Sequence, residues 1–133
     1  MKRPDEQFSV SSECFPNIGA RGRRRRLLKG TVASLAGIAL FALLIAQRSS
    51  PALLLLLIPF AAFAAVCFFQ VKERTCVVLA ARGLREQEDG STVRIAGEWM
   101  VAIQRQARKV WIESLAATLL VTAVAILVAT LRR

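Results

Sequence analysis

Apolar positions along the 133-residue chain fall in blocks, not at the spacing of an amphipathic helix or strand. Residues 30–47 run for 18 positions without a charge, residues 49–71 for 23 and residues 114–131 for 18. At 1.5 Å of rise per residue these blocks make helices of about 27, 34 and 27 Å, against a hydrocarbon core of about 30 Å. A helix in lipid satisfies its own backbone groups. Leu and Ala fill the blocks, with few β-branched residues outside the third, which favours helices over barrel strands. The pattern predicts an all-α membrane protein with three transmembrane helices. A polar, basic tail (1–26) precedes a helical hairpin (27–71, spans 27–47 and 51–71). A connector (72–110) then leads to the third span and a short C-terminus (111–133).

The stretches between the blocks give the finer expectations. Residues 1–20 are polar, with Phe8, Val10, Phe15 and Ile18 at no clear period, and are expected to be disordered in isolation. Arg48-Ser49-Ser50 is a tight turn, Pro51 suits a first helical position, and Pro59 should kink the second span. In the connector, residues 70–88 could prolong the second helix, with Arg82/Glu86 and Arg85/Asp89 paired at i,i+4 on an exposed face. Gly83 weakens that helix, and Asp89-Gly90-Ser91 signals a turn.

From Glu98 the period becomes helical. Trp99, Ala102, Ile103, Ala107 and Val110 share one face with Gln106, and Arg105, Arg108 and Lys109 lie opposite or flanking. This basic amphipathic helix, 98–110, is expected to lie at the membrane interface or against a partner subunit, with Trp111 at the headgroup level. The alternative is one straight helix running on to Leu131 and projecting into the cytoplasm.

Charge sets the orientation. The net charge is +10 in a chain that is 55% hydrophobic. Residues 1–29 carry eight bases and three acids, residues 72–113 eight bases and six acids, leaving only Arg48, Arg132 and Arg133 elsewhere. If tail and connector share a side, the positive-inside rule puts that side in the cytoplasm and Arg133 outside. The expected arrangement is a multi-pass membrane protein with its N-terminus in the cytoplasm and its C-terminus outside.

Candidate chemistry is sparse. Histidine and tyrosine are absent, which excludes His-based metal or haem ligation and His-based acid–base catalysis. No charge interrupts any apolar block, so coupled transport has no visible machinery. Cys14, Cys67 and Cys76 form no metal-binding pattern; Cys67 reads as a small buried hydrophobe, and Cys76, beside Lys72 and Arg74, as a candidate reactive thiol. The polybasic run Arg21–Arg26 abuts the first span, and such clusters attract anionic lipid at about 1 kcal/mol per base. It lacks the interleaved aromatics of a nucleic-acid site, and nucleic acid is not an expected partner. Arg24-Arg25-Arg26-Leu27-Leu28-Lys29 also resembles a twin-arginine export signal, yet the end at Leu44-Ile45-Ala46 is a poor cleavage site, so an uncleaved span is expected. Lipid or partner contacts are assigned to Arg23, Arg24, Arg25, Arg26, Lys29, Trp99, Arg105, Arg108, Lys109 and Trp111.

The stretch from Phe69 to Arg85, with Thr75-Cys76-Val77 and Ala80-Ala81-Arg82-Gly83-Leu84-Arg85, resembles a segment of small uncharacterised bacterial multi-span membrane proteins. In these a helical hairpin precedes a Thr-Cys-Val and an Ala-Ala-x-Gly-x-Arg stretch. The resemblance implies a bacterial source and a shared cytoplasmic element, and no particular chemistry. The residues point first to a non-catalytic accessory or structural subunit of a larger inner-membrane complex, with photosynthetic or respiratory complexes as the base-rate guess. Its partners would be other membrane subunits and anionic phospholipids, and no residue pattern names a cofactor. A small homo-oligomeric transporter or channel, with Pro59 and Gln47 or Gln70 as its pore features, and an anionic-lipid-binding protein are the alternatives.

Overall fold

A computed structural model describes residues 16–132; the tail 1–15, including Cys14, and Arg133 lie outside the described residues. The chain forms α1 (Ala20–Ala46), a 3-10 segment (Pro51–Leu57), α2 (Ile58–Lys72), α3 (Val77–Ala81), β1 (Leu84–Glu86), β2 (Thr92–Arg94) and α4 (Gly97–Leu131). Three of these units, Ala20–Ala46, Pro51–Lys72 and Gly97–Leu131, are long and apolar enough to cross a membrane.

The expected turn after the first helix is a tight αL cap. The N–H of Arg48 donates to Ile45 O at 3.1 Å and that of Ser49 to Leu44 O at 3.0 Å, with Arg48 at φ +49°. This crossed pair satisfies the last carbonyls of α1. Pro59 acts more specifically than a generic kink. In a continuous α-helix its missing N–H would orphan the carbonyl of Leu55. Residues Pro51–Leu57 wind as 3-10 instead, and Leu55 O accepts from the N–H of Ile58.

Helix α2 ends the same way as α1. Arg74, at φ +50°, donates to Val71 O at 3.3 Å, and Thr75 donates to Gln70 O at 3.0 Å. The second helix is therefore not prolonged to residue 88. Residues 77–81 form a separate short helix, and Gly83 at φ +65° terminates it. Arg85 and Glu86 then sit on a strand, so the i,i+4 pairs Arg82/Glu86 and Arg85/Asp89 have no helix to share. A two-stranded antiparallel ribbon pairs Leu84 with Arg94, Arg85 with Val93 and Glu86 with Thr92. Asp89-Gly90-Ser91 lies in its turn.

The expected separate helix 98–110 is instead the first third of α4, which runs for 35 residues, about 52 Å, without a break. No Gly or Pro interrupts it after Gly97. Its apolar face is covered from within the chain: Ile103, Ala107 and Val110 pack with Val77 and Ala80 of α3, backed by Phe69, Ile95 and Trp99. The periodicity named the right face, and α3 fills the place assigned to the membrane interface.

A second core joins Leu44, Leu54, Leu57 and Ala125, so the far end of α4 lies beside the Arg48 turn. Small residues allow the close approaches between: a Cβ on Gly30 would meet that of Cys67 at 3.0 Å, and one on Gly37 would meet Phe60 at 3.2 Å. Ser114, Thr118, Thr122 and Ala125 form the buried seam of α4.

Candidate functional site

Polar groups converge at one place, where the segment before α1 meets the α2–α3 turn and the ribbon. Asn17 is fully buried. Its Nδ2 donates to the carbonyl of Cys76 at 3.1 Å and its Oδ1 accepts from the Cys76 N–H. Its own N–H donates to Arg74 O at 3.1 Å, and its carbonyl accepts from the Glu86 N–H at 2.9 Å. Four hydrogen bonds from one residue thus join three separate stretches of chain. The left-handed turn at Arg74 is what presents the Arg74 carbonyl and the Cys76 peptide groups to it. Gly19 permits the approach: a Cβ there would stand 2.5 Å from the backbone oxygen of Gln87.

Arg26 closes the cluster from α1. Its Nε donates to Gln70 Oε1 and its Nη2 approaches Cys76 Sγ at 2.7 Å. The same sulfur accepts from the Leu79 N–H at 3.4 Å, capping α3. Thr75 donates its hydroxyl to Glu73 O at 2.9 Å and reaches Gln106 of α4 at 3.4 Å. Cys76 is 1% exposed, so it is no accessible reactive thiol; it is the cap and the hub of the turn. Cys67 is buried, as its reading as a small hydrophobe predicts. Gln70 is buried, its Oε1 accepting from Arg26.

A four-member ion network binds α2 to α4 just outside. Lys109 Nζ lies 3.0 Å from Glu73 Oε1 and 3.8 Å from Glu113, while Lys72 lies 3.4 Å from Glu113 and 3.8 Å from Glu73. The lysine ammonium of Lys72 also stands 5.3 Å from the Phe69 ring centre. Both lysines are more than half exposed, so each pair contributes about 0.2–1 kcal/mol at most.

These contacts sort the residues assigned to lipid or partners. Arg23, Arg24, Arg25, Arg26 and Lys29 belong to α1 itself, which starts at Ala20, so the run is helical and not part of a tail. Arg24, Arg25 and Lys29 are exposed, whereas Arg26 is drawn inward. Trp99 packs, half-buried, on the α3–α4 core. Lys109 is engaged by Glu73. Arg105, Arg108 and Trp111 are exposed on α4.

Asn17, the centre of the site, was not among the residues singled out by pattern or charge. It is the chain's single asparagine, three residues before the start of α1, and its rarity was the one signal available.

The bonds of Asn17 fix a point of topology. The start of α1 and the connector lie at one end of the molecule, together with six bases in residues 21–29 and eight in residues 72–113. Arg48 and Arg132 lie at the other. Among the described residues no group of three His, Cys, Asp or Glu side chains is arranged to hold a metal. Compared with protein-family models, curated proteins and solved structures, the chain matches none.

Proposed function

We propose that the protein is a multi-pass component of a bacterial inner membrane, with its basic end in the cytoplasm, acting as a non-catalytic accessory subunit of a larger complex. The observation that carries this reading is how the polar cluster uses its groups. Asn17, Arg26, Gln70, Thr75 and Cys76 bond to one another and to backbone, so the side chains most able to do chemistry are engaged in closing the fold. Helix α4 runs unbroken from the apolar zone into the module of α3 and the ribbon, which fixes the module to the spans.

Membrane insertion is supported by the outward faces of the long helices. Leu35 and Ile38 on α1, and Leu115, Leu119 and Leu120 on α4, are each more than 60% exposed. Exposure of this kind is unfavourable in water at about 25 cal/mol per Å² and costs nothing against acyl chains. The unequal division of bases then selects the cytoplasmic end.

Extraction of the native membrane with a mild detergent, followed by mass measurement of the intact particle, tests the subunit role. The expected species holds this chain in fixed stoichiometry with other membrane proteins. A lone monomer would sink the accessory role, and a chain that leaves the membrane in plain buffer would sink the insertion as well.

A further inference from the structure

The groove between α1 and α2 changes character along its length. At the basic end Arg25 and Lys29, one helical turn apart, stand over a cleft of about 540 Å³ that Phe63 also lines. A second hollow of about 580 Å³ shares Lys29 and Phe63 with the first and continues along Val32, Ala36 and Phe60. Together they form one trough with two cations at its mouth and a carbon-lined floor below. Arg26 is bonded to Gln70 and Cys76, which leaves Arg25 and Lys29 as the mouth's outward charges. Neither makes an ion pair among the described residues. The carboxylate lining the cleft is that of Glu86, which rests against Gly22, one turn nearer the water than Arg25.

We propose that this trough binds one anionic phospholipid, its phosphate held by Arg25 and Lys29 and an acyl chain lying along Val32, Ala36 and Phe60. A guanidinium and an ammonium on one helix face converge on a phosphate, and the guanidinium can take two of its oxygens at once. From Lys29 to Ala36 the helix rises about 10 Å, most of the roughly 15 Å depth of one hydrocarbon leaflet. A free phosphate would use only the mouth; a phospholipid uses the mouth and the floor. A choline headgroup would bring a second cation against Arg25, so selectivity for lipids with net negative charge follows. The site rests on the membrane placement proposed above.

Native mass spectrometry of the detergent-extracted chain, with phosphatidylglycerol, phosphatidylcholine or inorganic phosphate added, tests it. One phosphatidylglycerol is expected to be retained, in preference to phosphatidylcholine and undisplaced by phosphate. Replacing both mouth cations (R25Q with K29Q) should weaken retention about thirty-fold, at about tenfold per 1.4 kcal/mol and 1 kcal/mol per base. The control pair R82Q with R94Q removes equal charge from exposed connector positions outside the trough and should leave retention unchanged. Ala36→Leu fills the floor without touching the mouth and should also expel the lipid. Equal loss in the control pair, equal retention of phosphatidylcholine, or displacement by phosphate with no effect of Ala36→Leu would each overturn the proposal. Because the chain is first extracted by detergent, a failure here leaves the membrane placement separately judged.

Discussion

Asn17 replaces a peptide neighbour for Cys76. Its side-chain amide donates to the Cys76 carbonyl at 3.1 Å and accepts from the Cys76 N–H, as an adjacent strand would. Fifty-nine residues separate the two. Removing the amide strands the buried Cys76 N–H, while the Cys76 carbonyl keeps the Ala80 N–H at 2.9 Å, so the cost is about 1–3 kcal/mol. Asn17→Ala is therefore expected to destabilise the protein by about 2 kcal/mol in detergent unfolding. In a background with Cys14 and Cys67 replaced by Ser, maleimide labelling of Cys76 should rise from near zero. Unchanged labelling and stability would show that the turn holds without Asn17.

Glycine substitutions should divide by what surrounds them. Gly19→Ala forces its new methyl against Gln87 backbone at 2.5 Å and must open the junction between α1 and the ribbon. Gly97→Ala meets nothing within 4 Å at the first position of α4 and should stabilise by about 0.4–1 kcal/mol by restricting the unfolded chain. Thermal unfolding of the two variants should move in opposite directions.

The buried seam of α4 offers a contrast of a different kind. Thr118 and Thr122 donate their hydroxyls to Ser114 O and Thr118 O at 2.7 and 2.8 Å, whereas Ser114 Oγ is buried with no partner among the described residues. Ser114→Ala removes an unsatisfied group and should be neutral or stabilising by up to about 1 kcal/mol. Val110→Ala, at a fully buried position in the α3–α4 core, leaves a cavity and should cost about 2 kcal/mol. Denaturant titration of both in the same detergent would compare them directly, and a costly Ser114→Ala would mean its hydroxyl does find a partner.

Acidification should loosen the ribbon turn first. The Ser91 hydroxyl and the Ser91 N–H, at 2.7 and 2.8 Å, hold the Asp89 carboxyl below its usual range, with Arg21 adding to the effect. A depressed carboxyl contributes its stabilisation above the unfolded value and loses it as pH falls through the folded one. Nuclear magnetic resonance of the Ser91 amide should report its hydrogen bond lost in the acid range below an ordinary aspartate. In Asp89→Asn the transition should vanish.

Several features could be read directly from residue order. Charge-free blocks of 18 and 23 residues specify helices long and apolar enough to cross a membrane, and in hydrocarbon an unpaired peptide group would be too costly for irregular backbone. The faces were legible too: Trp99, Ile103, Ala107 and Val110 do share one side of a helix. Gly83 and Asp89-Gly90-Ser91 break the connector where turn chemistry says they should.

Order alone could not decide what covers a face or where a helix stops. Helix α2 ends because Arg74 takes a left-handed conformation that glycine would normally supply, and no local signal marks an arginine for it. The apolar face of α4 meets α3 instead of the interface, since five residues after a tight turn happen to reach it. Asn17 acquires its role only when segments distant in sequence close around it. Periodicity is a property of each helix alone, so the sequence carries it; pairing between surfaces depends on the relative position of whole elements, which only the folded chain determines.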